Sequence, residues 1–230
     1  MTWTNSMSVK QFLDHLKLMC HSSITTLQFS ANAETICIES IHKNVKDFEN
    51  VSLVSENHEH NKKVMSVLKP TSITLSSLAL VNGCVPSDIL IQNFDTIDVP
   101  SVRITLDDFL MTNSRVIDLG CNISVKTLNR FLKLWVKGSN LRLEWLHLQF
   151  HGDFENEELL RELDYKYPSP NRVRIFKSAG LKALKQVTGG WDIWRLDGTQ
   201  ATISFWRKRD SVNFQLFVWH DHCLVSEINF

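Results

Sequence analysis

Near the C-terminus, the run His220-Asp221-His222-Cys223 gathers side chains of the kinds that ligate transition metals. In a strand, His220 and His222 would share one face. No further cysteine or histidine clusters beside this run in the sequence, so the residues read as a polar strand end, with no metal site. The run Glu56-Asn57-His58-Glu59-His60 reads in the same way as a solvated loop. Asp107 and Asp108 suit the first turn of a helix, where backbone dipoles favour acids, better than acid–base work. There is no phosphate-binding glycine loop, no G-x-S-x-G and no H-E-x-x-H. Neither a catalytic residue nor a cofactor is expected. An enzyme built from distant residues that meet in a cleft is the remaining catalytic alternative.

The composition narrows the partners. In 230 residues, 25 basic side chains balance 25 acidic ones. A neutral chain is a poor match for nucleic acid or an anionic membrane, which both favour a basic surplus. No apolar run approaches the roughly 20 residues of a membrane span. The first 20 residues lack the basic start and apolar block of a secretory signal. Cys20, Cys37, Cys84, Cys121 and Cys223 lie far apart, which suits buried thiols in a reduced compartment, cytoplasm or nucleus. A hydrophobic share of 43% is ample for a core.

The elements that would position a site come from a repeat. Leu143, Leu146 and Leu148 fit the leucine-rich pattern L-x-x-L-x-L. The same template fits Ile24-Leu27-Phe29 (followed by Asn32), Phe48-Val51-Leu53, Leu75-Leu78-Leu80 and Phe94-Ile97-Val99. It also fits Ser114-Ile117-Leu119, with Asn122 after it and a polar residue in the first place. The segments between can be helical. Ser124 can cap a helix carrying Val125, Leu128, Leu132 and Trp135 on one face, ended by Gly138. Thr105 can cap a shorter one with Leu106, Phe109 and Leu110 inward. Short helices are expected in 40–48 and 61–70, and another near the start with Val9, Phe12, Leu13 and Leu16 on one side. The expected fold is α/β: a leucine-rich-repeat-like strand–helix solenoid with a parallel sheet over residues 1–167.

Residues 168–230 read differently. A helix over 153–167, with Leu159, Leu160 and Leu163 on one face, ends at Pro168-Ser169-Pro170-Asn171. Beyond Gly189-Gly190, two strands flank the turn signal Asp197-Gly198, and Asn213 to His220 supplies a third. Antiparallel strands here would close the open edge of the solenoid. Trp191, Trp194, Trp206 and Trp219 crowd this end and read as packing.

Two of these segments resemble the F-box associated domain (type 2) of the large nematode F-box family. Leu128, Asn129, Phe131, Leu132, Lys133, Trp135, Gly138, Ser139, Asn140, Leu143, Glu144 and Leu146 match its first motif. Gly189, Gly190, Asp192, Ile193, Arg195, Asp197, Gly198, Thr199, Ala201, Thr202 and Ile203 match its second. The resemblance implies a protein–protein interaction module of the kind that recruits the substrate of an SCF ubiquitin ligase. Met1 to Cys20 lacks the Leu-Pro-rich opening of an F-box, so a Skp adaptor is not an expected partner. An F-box-less relict or decoy that binds substrate without delivering it is the alternative.

In L-x-x-L-x-L strands the residues between the leucines point away from the core. The central outward places are Gln28, Ser52, Ala79, Asp98, Asp118 and His147, flanked by Thr26, Trp145 and Gln149. Protein binding is assigned to Gln28, Asp98, Asp118, Trp145, His147 and Gln149. For Trp145 two readings stand: an exposed anchor, or packing against the C-terminal strands.

Overall fold

The structure, a computed structural model, describes residues 11, 26–30, 37–45, 48–151, 155–167, 172–208 and 210–229. Of the helix expected around Val9 to Leu16, only Gln11 is among these residues, and Cys20, Ile24 and Asn32 lie outside them. The chain divides into two compact units, Met1–Ala79 and Leu80–Phe230.

In the first unit, strands β1 (Thr26–Phe29), β2 (Asn50–Leu53) and β3 (Ser72–Leu75) are parallel neighbours. Helix α1 (Ile38–Asn44) lies between the first two in sequence, and α2 (His58–Leu68) between the last two. Leu27, Val51 and Ile73 stand in register, as do Phe29, Leu53 and Leu75. Leu75 therefore fills the third apolar place of its repeat, where the sequence pattern puts it in the first. Ala79, expected on the sheet face, is buried in a 3-10 turn, and Leu78 is 46% exposed. The physical reason is the abrupt end of α2. Lys69 turns left-handed at φ 47 and Pro70 follows, so the chain enters the strand early and spends Ile73 and Leu75 on the core. Glu56 to His60 is also not a loop. The Asn57 side chain accepts from the His60 N–H at 3.0 Å and starts α2, and Ser55 and Asn61 are buried beside it.

The second unit opens with a tight turn at Asn82-Gly83, followed by α3 (Ser87–Leu90). Then come β4 (Thr96–Val102), α4 (Leu106–Met111), β5 (Val116–Cys121), α5 (Val125–Val136) and β6 (Trp145–His151). The three strands are parallel. The expected caps are present: Thr105 and Asp108 form a reciprocal capping box, and Ser124 accepts from the Thr127 N–H at 3.1 Å. Val125, Leu128, Leu132 and Trp135 are buried on one stripe of α5. Third-place Val99, Leu119 and Leu148 stand in register.

The helix expected over 153–167 is only α6 (Asn156–Leu160) in the described residues. Glu162 then turns at φ 59, and Tyr165–Lys166 form β7. Next come β8 (Arg172–Phe176), β9 (Lys185–Thr188), β10 (Trp191–Trp194), β11 (Gln200–Lys208), β12 (Ser211–Val218) and β13 (Leu224–Asn229). The sheet continues from β6 as β12-β11-β10-β7, all antiparallel, so β12 rather than the β10–β11 hairpin borders the parallel part. Strands β13-β8-β9 make a second, antiparallel sheet. The fold is thus mixed α/β, with parallel strand–helix units followed by antiparallel strands.

Candidate functional site: the strand rows of the second unit

On one face of the larger sheet of this unit, the apolar residues Ile97, Val99, Ile117, Leu119, Leu146, Leu148, Phe214 and Leu216 form a buried layer. Residues of the opposite face form three rows, because strand partners in register project together. The first row runs Thr96, Val116, Trp145, Phe217, Thr202, Asp192. The second is Asp98, Asp118, His147, Gln215, Ser204. The third is Gly120, Gln149, Asn213, Trp206.

The small sheet roofs the first row. Val116, Trp145 and Phe217 pack with Phe176, Val187 and Cys223. Thr96 Oγ1 donates to the Gly180 carbonyl at 3.0 Å, an approach so close that a β-carbon on Gly180 would meet Thr96 at 2.4 Å. Arg174 reaches from β8 to Asp192 at 2.8 Å and Thr202 at 2.7 Å, with its guanidinium 4.5 Å from the Trp219 ring centre. Trp145 is accordingly 3% exposed. That corrects its assignment as an exposed anchor; it packs against the C-terminal strands, the second of its two readings.

The second row lies at the rim of the roof. Asp98 and Asp118 are partners across β4 and β5, and Asp118 and His147 across β5 and β6. His147 Nδ1 donates to Asp118 at 2.7 Å, and its Nε2 lies 3.3 Å from Asn213 Oδ1. Burial, then repulsion by Asp118, pushes the Asp98 carboxyl above its ordinary value, with His147 opposing. Three near-parallel rings run outward from the roof. Trp145 and His147 are 5.4 Å apart, and His147 and Trp206 6.3 Å. Lys185 lies over the Trp145 ring, its ammonium 4.2 Å from the ring centre, and burial lowers its pKa while Asp118 opposes. The outer end, Trp206, is 44% exposed. Beside it lies a depression of about 700 Å³ lined by Glu155, Asn156, Glu157, Phe205, Trp206 and Arg207.

Of the six residues assigned to binding, the structure gathers Asp98, Asp118, His147 and Gln149 on this face, with Gln149 exposed in the third row. Gln28 is exposed on β1 of the first unit. Sequence reasoning missed Lys185 and read Trp206 as packing, whereas the structure leaves it 44% exposed. Trp206 had a signal, because it alternates with Phe205 in a strand whose buried side was legible. Lys185 had none, since its place depends on the roof.

Most of the motif residues prove structural. Arg195 holds Asp197 and Thr199 inside the β10–β11 turn, and its guanidinium lies 5.4 Å from the Trp135 ring centre on α5. The Leu196 N–H donates to the Val136 carbonyl at 2.9 Å, so the two motifs clasp each other. Asn129 donates to the Leu159 and Arg161 carbonyls, and Asn140 to those of Phe109 and Thr112. A β-carbon on Gly190 would meet the Ile203 carbonyl at 2.6 Å.

His220 to Cys223 is a turn after β12 rather than a strand. The Cys223 N–H donates to the His220 carbonyl at 2.8 Å. The turn sits beside Glu144, whose carboxylate accepts from Ser178 at 2.6 Å and from His222 Nε2 at 2.9 Å.

Comparison with known proteins agrees with the motifs. Among curated proteins, the chain is 27% identical over 220 residues to the F-box associated domain-containing protein sdz-33 of Caenorhabditis elegans. That alignment covers 93% of this chain and 65% of the relative's own length. No solved structure matches. Residues 85–148, which include the first of the two motifs, match the family model described as F-box associated; the second motif lies beyond that match.

Proposed function

We propose that this protein is a non-catalytic interaction module, acting in the cytoplasm or nucleus, that recruits a protein substrate to an SCF-type ubiquitin ligase. The strand–helix units are, in this reading, leucine-rich-repeat-like, and the sheet face presents the binding residues. The similarity to F-box associated sequence supports the class of function. One observation supports the place: the ring ladder Trp145–His147–Trp206 ends on an exposed tryptophan, next to two carboxylates crowded on neighbouring strands. Most of the motif residues are occupied in holding the fold, whereas this rim carries the exposed tryptophan and the crowded carboxylates of the face.

A basic side chain suits the rim. An arginine or lysine of the partner would relieve the repulsion between Asp98 and Asp118 and lie against the Trp206 face. Exposed aromatics and charge pairs of this kind are frequent interface anchors. The test is affinity capture from nematode extract, read by quantitative mass spectrometry. Capture by the native chain is compared with that by a variant carrying Asp118→Ala, His147→Ala and Trp206→Ala. Specific partners should fall at least tenfold in the variant, and should weaken with rising salt, while the unfolding midpoint stays within a few degrees. Full capture by the folded variant would move the binding surface elsewhere.

A further inference from the structure

We propose that Glu144, His222 and Cys223 form a binding site for a transition-metal dication of the zinc type. The Glu144 carboxylate, a His222 ring nitrogen and the Cys223 sulfur lie within 4.8 Å of one another, although Glu144 is far from the other two in sequence. Such a set of oxygen, nitrogen and sulfur donors suits zinc and excludes the hard ions magnesium and calcium, which take oxygen ligands.

The backbones that carry the three ligands are fixed. The Glu144 N–H donates to the Arg115 carbonyl, and its own carbonyl accepts from Val218, both at 2.8 Å. The Cys223 carbonyl accepts from the Lys177 N–H at 2.8 Å, tying the turn to the end of β8. The His222 ring lies parallel to that of His220 at 5.6 Å, and His220 Nε2 donates to the Leu143 carbonyl at 3.0 Å. His220 is thereby spent on orienting its neighbour and is not a fourth ligand. Ser178 fixes the second Glu144 oxygen, the kind of outer partner that orients a ligating carboxylate.

Charge and access also fit. A carboxylate and a thiolate neutralise a dication, and the metal replaces the His222–Glu144 hydrogen bond while the Cys223 thiol gives its proton to solvent. Arg115 lies 3.6 Å from Glu144, and its charge is shared with Asp95 at 3.5 Å. His222 is 64% exposed, which gives an entry path and leaves the fourth position to water. The metal would staple the 220–223 turn to the start of β6, beneath the roof of the sheet face.

The test is a cobalt titration of the full chain in a background lacking Cys20, Cys37 and Cys84. Binding of one equivalent should produce tetrahedral d–d bands and a near-ultraviolet thiolate-to-cobalt charge-transfer band, reversed by zinc. His222→Ala, an exposed change that leaves the fold intact, should weaken cobalt at least tenfold, and Cys223→Ser should abolish the charge-transfer band. Zinc should raise the unfolding midpoint of the parent and not of His222→Ala. Absence of a stoichiometric band, or bands unchanged by His222→Ala, would overturn the site and show adventitious binding only.

Discussion

Trp145 and Gln149 stand on the same strand and project from the same face, yet one is in the core and the other in solvent. The difference is the small sheet above. At the roofed end, partners in register meet Phe176, Val187 and the Arg174–Asp192 pair. At the open end, Gln149 and Trp206 meet water. A single sheet face thus contains a second core and a surface. Its middle row, Asp98-Asp118-His147, has the polar chemistry of the surface and part of the desolvation of the core. Charged groups held in such a place interact more strongly than at an open surface.

The sharpest way to break the comparison is to truncate both ends. Trp145→Ala should cost about 3–5 kcal/mol, the loss expected for a large aromatic removed from a packed site. Gln149→Ala should change stability by less than about 0.5 kcal/mol. Chemical denaturation of the two variants measures both. Equal, small effects would mean that the roof is not packed on the sheet.

Gly120 offers a middle-sized test at the open end. The β4–β5 pairing shifts between Val99 and Val102, and there the Pro100 carbonyl comes so close that a β-carbon on Gly120 would lie 1.9 Å from it. Bulges of this kind re-aim a strand. Gly120→Ala must push β4 away, at about 1–3 kcal/mol, and should weaken partner capture along with stability. A neutral Gly120→Ala would show that the bulge is not fixed by this contact.

The parallel part was legible because its cues are local. Ser124 and Thr105 cap where the sequence placed them, and the period of Val125, Leu128, Leu132 and Trp135 is that of a helix face. The third repeat slipped because Ile73-Thr-Leu75 and Leu78-Ala-Leu80 alternate equally well, and only the left-handed turn at Lys69 decides between them. The roof was not legible. Its strand β8 buries Arg174 and leaves Val173 and Ile175 half-exposed, the reverse of the pattern that identifies a strand face. Arg174 is tolerated inside because Asp192, Thr202 and the Trp219 ring meet it there, partners that lie 18 to 45 residues away. Glu144 escaped notice beside His222 and Cys223 for the same reason.

The smallest expected effect probes the middle row. Asp98 is partly buried and faces Asp118, so its carboxyl titrates above the ordinary carboxylate range in the folded chain. A raised acid pKa means that the folded state holds its proton more tightly than the unfolded one. Stability therefore falls as pH rises from the ordinary carboxylate pKa through the folded value, and the penalty is complete above it. Asp98→Asn removes that penalty. Relative to the native chain, it should raise the unfolding midpoint slightly at neutral pH, with the gain disappearing in acid, where the native carboxyl is protonated as well. If the repulsion is what a basic partner relieves, the same variant should capture that partner less well while being more stable, since sites built for binding hold charges that the fold alone disfavours. Parallel melting curves of the two proteins at neutral and acid pH measure the first effect, and capture at matched concentration measures the second. A lower midpoint for Asp98→Asn at neutral pH would mean that the attraction of His147 outweighs burial and Asp118 together at this carboxylate.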